Sequence, residues 1–206
     1  MTEEERARLH TDTDDGMLLV ISGPSGVGKT TITRGVERAL GDSVFSVSVT
    51  TRAQTDADVE GVDYRFVDDD EFDRLIADGE LLEHAEVFGN RYGTPRGWVQ
   101  AQLDRGRLVI LEIDVDGAKQ VKASMPEAYG VFILPPTEEA LLDRLRARKR
   151  EDEDAIQRRF SEAQREIAEA KQSGAYDSFI INEDLARAIS DAIGIVRDAR
   201  RRHRAV

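Results

Sequence analysis

A glycine-rich segment near the start of the chain restricts its fold more than any other feature. Residues 23–30 have the sequence GPSGVGKT, which fills every specified position of the phosphate-binding loop pattern GxxxxGK[ST]. An apolar run, Met17–Ser22, precedes the segment and a helical pattern follows it. This is the strand–loop–helix order that such a loop requires, and a chance glycine-rich turn is not expected to have both flanks. The sequence therefore predicts an α/β fold that binds a nucleoside triphosphate.

The loop residues supply the chemistry of phosphate binding. Glycines let successive backbone N–H groups point at one centre, and the N-terminus of the following helix also favours an anion. Lys29 can reach the β- and γ-phosphates of ATP, and the Thr30 hydroxyl can ligate Mg²⁺. The predicted ATP contacts are Gly23, Pro24, Ser25, Gly26, Val27, Gly28, Lys29, Thr30 and Thr31. The loop does not identify the acceptor of the phosphoryl group.

The composition narrows the class of protein. With 206 residues, 40% of them hydrophobic, the chain is long enough for one domain with small inserted units. Its net charge of −12 argues against nucleic acid or an anionic membrane as a partner. The absence of cysteine excludes disulfides and cysteine chemistry, and no obligate protein partner is evident. Because the N-terminus is acidic and no long apolar run is present, we expect neither a signal peptide nor a transmembrane helix, and a cytoplasmic location.

Apolar runs that alternate with helical patterns predict a parallel sheet covered on both faces. Leu108–Ile113 and Tyr129–Leu134 are nearly continuous apolar runs, as expected of buried parallel strands. The segment Val44–Val49 alternates between apolar residues and serine, which predicts a single strand. Pro95 is predicted at the first position of a helix. Residues 1–16 are polar and charged, and are predicted to form a flexible extension.

Short polar motifs follow the loop in a definite order. They are SVSVTTR at 46–52, GVDY at 61–64, EHAEVFGNRYGT at 83–94, LEID at 111–114, RLRAR at 144–148, Arg159, and NED at 182–184. Their order and spacing resemble those of guanylate kinases, which transfer the γ-phosphoryl group of ATP to GMP. The resemblance covers roughly residues 17–200 and is far more specific than the loop alone.

The resemblance implies the architecture of a P-loop kinase. Such a kinase has a five-stranded parallel sheet core flanked by helices, a mixed α/β GMP-binding insert and a helical lid. The expected core comprises residues 17–47, 98–135 and 161–206, the expected insert residues 48–97, and the expected lid residues 136–160. The implied reaction is Mg²⁺-dependent, in-line transfer from ATP to GMP or dGMP, giving ADP and GDP in purine nucleotide metabolism.

The acceptor-binding residues make chemical sense without the family. Guanine presents N1–H and N2–H₂ donors on one edge, and the Glu83 carboxylate can accept from both, while the Thr94 hydroxyl can donate to O6. Arg52, Tyr64 and Tyr92 are suitable donors for a phosphate monoester. Taken singly, the tyrosines are typical half-buried strand residues and Glu83 a typical solvated charge. The resemblance implies that GMP is bound by Ser48, Arg52, Tyr64, Glu83, Tyr92, Gly93, Thr94 and Asp114.

The same resemblance assigns the remaining catalytic roles. Arg144 and Arg148 are four residues apart and share a helical face. They resemble arginines of the mobile lid, although a basic helix end can also satisfy its own carbonyls. The implied catalytic residues, which neutralise the phosphoryl group in transfer, are Lys29, Arg52, Arg144, Arg148 and Arg159. Asn182 is implied in nucleotide binding, and Glu112 joins Thr30 as an implied Mg²⁺ residue.

One stretch departs from the family pattern. After Arg52 the family usually has proline, a second arginine three residues on, and then Gly-Glu, whereas here residues 53–58 are AQTDAD. Thr55 replaces the second arginine, and the aspartates at 56 and 58 are expected to repel a phosphate. We therefore expect weakened GMP binding with catalysis retained. Two other functions stay open: a non-catalytic module that binds phosphorylated peptides, and a kinase for another phosphate monoester.

Overall fold

A computed structural model describes residues 16–87, 89–147 and 152–203. Apart from Gly16, the predicted N-terminal extension lies outside the described residues. The helices and strands in chain order are β1 (Met17–Ser22), α1 (Lys29–Ala39), β2 (Ser43–Phe45), β3 (Ser48–Thr50), β4 (Tyr64–Phe66), α2 (Asp69–Ala77), β5 (Leu81–Val87), β6 (Asn90–Pro95), α3 (Arg96–Asp104), β7 (Leu108–Glu112), α4 (Val115–Ser124), β8 (Tyr129–Leu134), α5 (Glu138–Ala147), α6 (Glu153–Gln172), β9 (Ser178–Ile181) and α7 (Leu185–His203).

A five-stranded parallel sheet with the order β2-β7-β1-β8-β9 forms the centre of the fold. Its central strands are apolar on both faces because both faces are covered by helices. On one face, Ile21 and Ile110 pack with Ile32 of α1 and Val196 of α7. On the other face, strands β1 and β7 pack against apolar residues of α3 and α4. The sheet places the carboxyl ends of β1 and β7 side by side, where ligands bind in such folds.

A second, four-stranded sheet with the order β4-β3-β6-β5 lies in the part of the chain between β2 and α3. Strand β3 is parallel to β4 and antiparallel to β6, which pairs antiparallel with β5. Helix α2 covers this sheet through Phe72 and Leu75, which pack on Val49 and Leu81. The Gln120 amide of α4 ties the outer strand to the core. Its Nε2 donates to the His84 carbonyl (2.9 Å), and its Oε1 accepts from the His84 N–H (3.1 Å).

The prediction of a single strand over Val44–Val49 is wrong. The segment is divided into β2, which belongs to the core sheet, and β3, which belongs to the second sheet. The Ser46 N–H still donates to Ile110 in the core sheet (3.1 Å), whereas Thr51 N–H donates to Arg91 in the second sheet (3.0 Å). An alternating sequence is compatible with pairing in either sheet, so the pattern does not reveal the change of partner.

Several helix starts follow the expected capping chemistry, whereas Gly28 and Pro95 make no side-chain cap. Asp68 and Asp152 cap α2 and α6 by accepting from the backbone N–H of Glu71 and Ala155, both at 2.7 Å. Pro95, predicted as the first helical residue, is instead the last residue of β6 and the N-cap of α3. Among the described residues, no helix is both long enough and apolar enough to cross a membrane.

Candidate active site

The glycine-rich loop turns tightly between β1 and α1. Gly26 and Gly28 have φ angles of 87° and 99°, in the left-handed region that favours glycine. A Cβ atom at Gly28 would lie 2.7 Å from Nδ2 of Asn182, so a side chain there would collide with the amide. That amide donates to the Val27 carbonyl at 2.7 Å and is 5% exposed. Asn182 therefore packs against Gly28 and fixes the Val27 carbonyl of the loop.

The Lys29 side chain folds back over the loop. Its ammonium donates to the carbonyl oxygens of Gly23 and of Pro24, the latter at 3.2 Å. Glu166 of α6 lies near enough for its charge to interact with Lys29. Burial raises the pKa of Glu166 from 4.5 to about 7, and the positive charge of Lys29 opposes that rise. A cation is thus positioned over the loop, where phosphates of a nucleotide would lie.

Two oxygen-bearing side chains meet at the start of α1 and the end of β7. The Thr30 hydroxyl donates to Oε1 of Glu112 at 2.8 Å. Hydroxyl and carboxylate oxygens are ligands that suit Mg²⁺. Within residues 16–87, 89–147 and 152–203, no three His, Cys, Asp or Glu residues form a metal-binding group. The pair therefore fits a cation that takes most of its ligands from phosphate oxygens and water, as Mg²⁺ does in kinases.

The residues predicted to bind the acceptor phosphate lie together on the second sheet. Strand register places Ser48 opposite Tyr64, and Thr50 opposite Tyr92. The rings of Tyr64 and Tyr92 are 5.7 Å apart, edge to face. The Arg52 guanidinium lies 5.2 Å from the centre of the Tyr64 ring. The cluster presents one cation and two phenols to the same region.

Arg52 is held by a carboxylate of its own loop. Its two terminal nitrogens donate to the two oxygens of Asp58 at 2.8 and 3.0 Å. Asp58 also accepts from the backbone N–H of Thr55 at 2.8 Å and from the Thr55 hydroxyl at 2.7 Å. The hydrogen bonds from Arg52 and then Thr55 hold the pKa of the Asp58 carboxyl well below its usual range. The carboxylate at 58, predicted only to repel a phosphate, instead pairs with Arg52, the arginine predicted to bind that phosphate.

A buried carboxylate marks the predicted guanine pocket. Glu83 is 5% exposed and accepts from the Thr94 hydroxyl at 2.6 Å. Burial raises the pKa of Glu83 from 4.5 to about 7, and the nearby charge of Asp114 adds to the rise, while the Thr94 hydrogen bond lowers it. A side chain at Gly117 would displace the carboxylate beside it. A Cβ there would lie 2.9 Å from Oε2 of Glu83 and 3.2 Å from Oδ1 of Asp114.

Two of the predicted lid arginines reach the phosphate-binding loop. Arg144 of α5 donates to the carbonyl of Asn182 at 2.8 Å and to that of Val27 at 3.4 Å. Arg159 of α6 donates to the Ser25 hydroxyl. Helices α5 and α6 pack on each other through Leu141, Leu145, Ile156 and Ala163. Arg148 lies outside the described residues.

Comparison with known proteins identifies the family. The family model described as guanylate kinase matches residues 15–199. The chain belongs to the guanylate kinase family. A guanylate kinase of Symbiobacterium thermophilum is 46% identical over 181 residues, which cover 88% of this chain and 84% of that protein. A crystal structure of guanylate kinase from Anaplasma phagocytophilum has a TM-score of 0.71 at 38% identity, covering 90% of this chain and 87% of its own. A gluconokinase structure from Sinorhizobium meliloti shares the fold alone, with a TM-score of 0.50 and 15% identity over 91% of this chain and 96% of its own.

These comparisons confirm the fold class and the activity predicted from the sequence. The protein is a P-loop kinase with an α/β fold, and the family transfers a phosphoryl group from ATP to GMP. The role of each residue and the three-part division of the chain stay predictions. At Gly93, one of the predicted GMP-binding residues, packing alone accounts for the glycine, because a Cβ atom there would lie 2.7 Å from Cδ1 of Leu81.

Three features of this guanylate kinase site were missed in the sequence. Gly117 follows the helix-capping Asp114, whose Oδ1 accepts from its N–H at 2.7 Å, and this Asp-x-x-Gly start of α4 was the available signal. Glu166 lies far along the chain in a long polar helix, and no pattern distinguishes it from its neighbours. The pairing of Asp58 with Arg52 depends on the turn between them, which is equally invisible in the sequence.

Proposed function

We propose that this member of the guanylate kinase family phosphorylates GMP and dGMP through the residues that the sequence analysis selected. The observation that carries the proposal is the buried Glu83 carboxylate beside Thr94 and Asp114. A buried carboxylate that lacks a cation is unfavourable unless a ligand supplies donors. Guanine supplies two donors on one edge, whereas adenine opposes the carboxylate with its N1 acceptor. Such a site rejects the wrong base because a desolvated carboxylate would stay unpaired.

The reaction needs no nucleophile from the protein. An oxygen of the GMP phosphate forms a bond to the γ-phosphorus of ATP while the bond to the ADP oxygen breaks, so that ADP and GDP leave. The task of the chain is to position the two phosphates and to stabilise their charge. Lys29 moves from the loop carbonyls to the transferring phosphoryl group. Arg144 and Arg159 already touch the loop and are available to neutralise the same charge.

The acceptor phosphate is bound by Arg52, Tyr64 and Tyr92, with Ser48 adding a hydroxyl. The phenols are neutral donors, and burial chiefly raises the pKa of Tyr64, which keeps it protonated. Asp114 contacts the acceptor from the core. The Thr94 hydroxyl, which donates to Glu83, reaches O6 of guanine only after rotating away.

Mg²⁺ is part of the proposal. Thr30 and Glu112 would hold the ion or its water, and the ion would neutralise negative charge on the phosphates. The lid and the insert are proposed to close over the two substrates and exclude water. A cytoplasmic site of action agrees with a chain that contains no cysteine.

The two alternative functions are less well supported. Binding modules with this fold typically have a degraded phosphate loop, whereas Lys29 and Thr30 are present here. A kinase for another phosphate monoester would not need the Glu83 and Thr94 pair. Thermal melting with added ligands distinguishes the three functions. ATP with Mg²⁺ would not raise the Tm of a binding module, and GMP would not raise the Tm of the other kinase.

The decisive experiment is ADP formation from ATP and Mg²⁺ with GMP, dGMP, AMP, CMP and UMP in turn. We expect turnover with GMP and dGMP alone. Turnover with AMP at a comparable kcat/KM would refute the assigned role of Glu83. Absence of turnover with every nucleotide would refute the proposed activity.

A further inference from the structure

The strand that carries Glu83 is held by its own sheet on one side only. Strand β5 ends the order β4-β3-β6-β5, so β6 is its only neighbouring strand in the part of the chain that the structure describes. The pairing with β6 also shifts register between Leu81 and Glu83. Such a bulge interrupts the ladder of hydrogen bonds and redirects a side chain, and here Leu81, Leu82 and Glu83 are all buried in succession. The sheet therefore fixes Glu83 less firmly than it would fix a residue of a regular central strand.

A side chain of the core supplies the hydrogen bonds of the missing strand. The Gln120 amide donates through Nε2 to the His84 carbonyl at 2.9 Å, and its Oε1 accepts from the His84 N–H at 3.1 Å. These are the two bonds that a neighbouring antiparallel strand exchanges with one residue. Because His84 directly follows Glu83, the backbone is fixed at its free edge one residue from the buried carboxylate.

The face of α4 that carries Gln120 also receives the Glu83 carboxylate. Gly117 lies three residues before Gln120 in α4, so the two residues share one side of the helix. A Cβ atom at Gly117 would lie 2.9 Å from Oε2 of Glu83, so the helix backbone closely approaches the carboxylate. Asp114 caps the same helix by accepting from the Gly117 N–H at 2.7 Å. Helix α4 therefore contacts Glu83 at Gly117 and anchors the backbone of the next residue through Gln120.

We infer that Gln120 is a positioning residue that sets base specificity, because it fixes Glu83 where the carboxylate meets both donors of guanine. This inference rests on the proposed function and refines it for the base half of the acceptor site. Gln120 acts through the backbone of His84, where both ends of its amide are used. His84 pairs with Gly93, two residues before β6 joins α3 at Pro95, so a rotation about that connection displaces the contact little.

Inosine monophosphate (IMP) reports whether the carboxylate is correctly placed. Its base has the N1–H donor of guanine but lacks the N2 amine, so it offers Glu83 one donor where guanine offers two. The preference for GMP over IMP therefore measures the second hydrogen bond. A hydrogen bond to a charged group corresponds to a preference of about 10- to 100-fold in kcat/KM. Loss of activity through partial unfolding lowers turnover of both nucleotides equally and leaves this preference unchanged.

The test compares two identical substitutions on different helices. Gln120→Met keeps the length of the side chain and removes both hydrogen bonds to His84. Gln100→Met is the matched control, since the Gln100 amide donates only within α3, to Asp104 at 2.8 Å. We expect Gln120→Met to raise the GMP KM about five- to thirtyfold and to reduce the preference for GMP over IMP about threefold or more, because two hydrogen bonds are lost. The KM for ATP should stay unchanged, and Gln100→Met should alter neither GMP value.

A double variant shows whether Gln120 acts through Glu83. In a Glu83→Gln background the carboxylate to be positioned is already gone, so Gln120→Met should add little to the rise in GMP KM. An equal factor in the two backgrounds would overturn the inference, as would a preference for GMP over IMP that Gln120→Met leaves intact. Thermal melts check that each variant is folded. Gln120→Glu, which keeps the acceptor for the His84 N–H and loses the donor, gives the same comparison if the methionine variant does not fold.

The wild-type measurement separates this inference from the proposed function. Absence of GMP turnover by the wild type would count against the proposed function. Turnover of GMP by the wild type, with the same preference over IMP in Gln120→Met, would count against the role of Gln120 alone.

Discussion

The proposed role of the buried Glu83 predicts that GMP recognition depends on pH in a defined direction. Burial raises the pKa of this carboxyl from 4.5 to about 7. Guanine needs the ionised form, which accepts two hydrogen bonds, so the protonated form must lose its proton before it binds. With a pKa of about 7, the ionised fraction falls about tenfold between pH 8 and pH 6. The GMP KM should therefore rise about tenfold over this interval, while kcat at saturating GMP changes much less.

The assay needs a reference because the phosphate of GMP also titrates, with a second pKa near 6. Glu83→Gln keeps the shape of the side chain and has no charge to titrate. Its GMP KM should be higher than that of the wild type at pH 8, and only the phosphate should make it vary with pH. The KM of Glu83→Gln divided by the KM of the wild type isolates Glu83, and this ratio should fall about tenfold from pH 8 to pH 6. A ratio that is constant from pH 8 to pH 6 would refute the reasoning, as would a ratio that grows at low pH.

Glu83 also affects the stability of the fold, which favours the protonated carboxyl, whereas GMP binding requires the ionised one. Because folding raises the pKa of Glu83, the folded state favours the protonated carboxyl, and its stabilising effect is lost as the pH rises from 4.5 through about 7. The shift corresponds to about 3 kcal/mol, an order-of-magnitude value at 1.36 kcal/mol per pKa unit. Glu83→Gln should lose this pH dependence, and urea unfolding of the ligand-free protein at pH 5 and pH 8 measures it. Identical pH dependence in the two proteins would show that Glu83 is not desolvated.

Two further predictions concern the catalytic loop and the guanine pocket. Lys29→Ala should lower kcat by about 10²-fold or more, since a preorganised charge at the transferring phosphoryl group is lost. GMP binding, measured by calorimetry, should stay nearly intact. An equal loss of kcat and of GMP affinity would contradict the role assigned to Lys29. Gly117→Ala should raise the GMP KM about 5- to 30-fold, because the added Cβ lies 2.9 Å from Oε2 of Glu83 and disturbs a hydrogen bond to a charged group. The matched Gly194→Ala, which meets nothing within 4 Å in α7, should leave the KM unchanged, and equal effects of the two substitutions would refute the steric argument.

The sequence predicted the phosphate-binding loop and its surroundings well because the requirements there are local. Glycine is needed where the backbone turns with positive φ, and a strand and a helix must flank the turn. The buried strands were equally predictable, since continuous apolar runs indicate parallel strands covered on both faces. The pairing of Thr30 with Glu112 follows from the same logic, because Thr30 begins the helix that follows β1 and Glu112 ends the adjacent strand β7.

Other features depend on contacts between distant parts of the chain, and the sequence pattern does not show them. Alternation over Val44–Val49 was compatible with one strand, because an alternating pattern does not specify which neighbouring strand each residue pairs with. Asp58 was predicted to act through its charge alone, since nothing in the sequence shows that the turn brings it onto Arg52. The environment of Glu83 likewise depends on Gly117, which belongs to helix α4 of the core.

The division of that strand has a mechanical consequence. The chain passes between the two sheets at Ser46–Val47, and it returns at Pro95, where strand β6 runs directly into helix α3. Both connections are short, so each can serve as a hinge point. Two hinge points define a single axis of rotation, the line that joins them. We expect the second sheet to rotate as a rigid body about this axis. The hydrogen bond from the Gln120 amide of α4 to the His84 carbonyl would hold it in the position seen here. A fluorophore pair across the two sheets should report one concerted change of distance on GMP binding, and several independent distance changes would contradict a single axis.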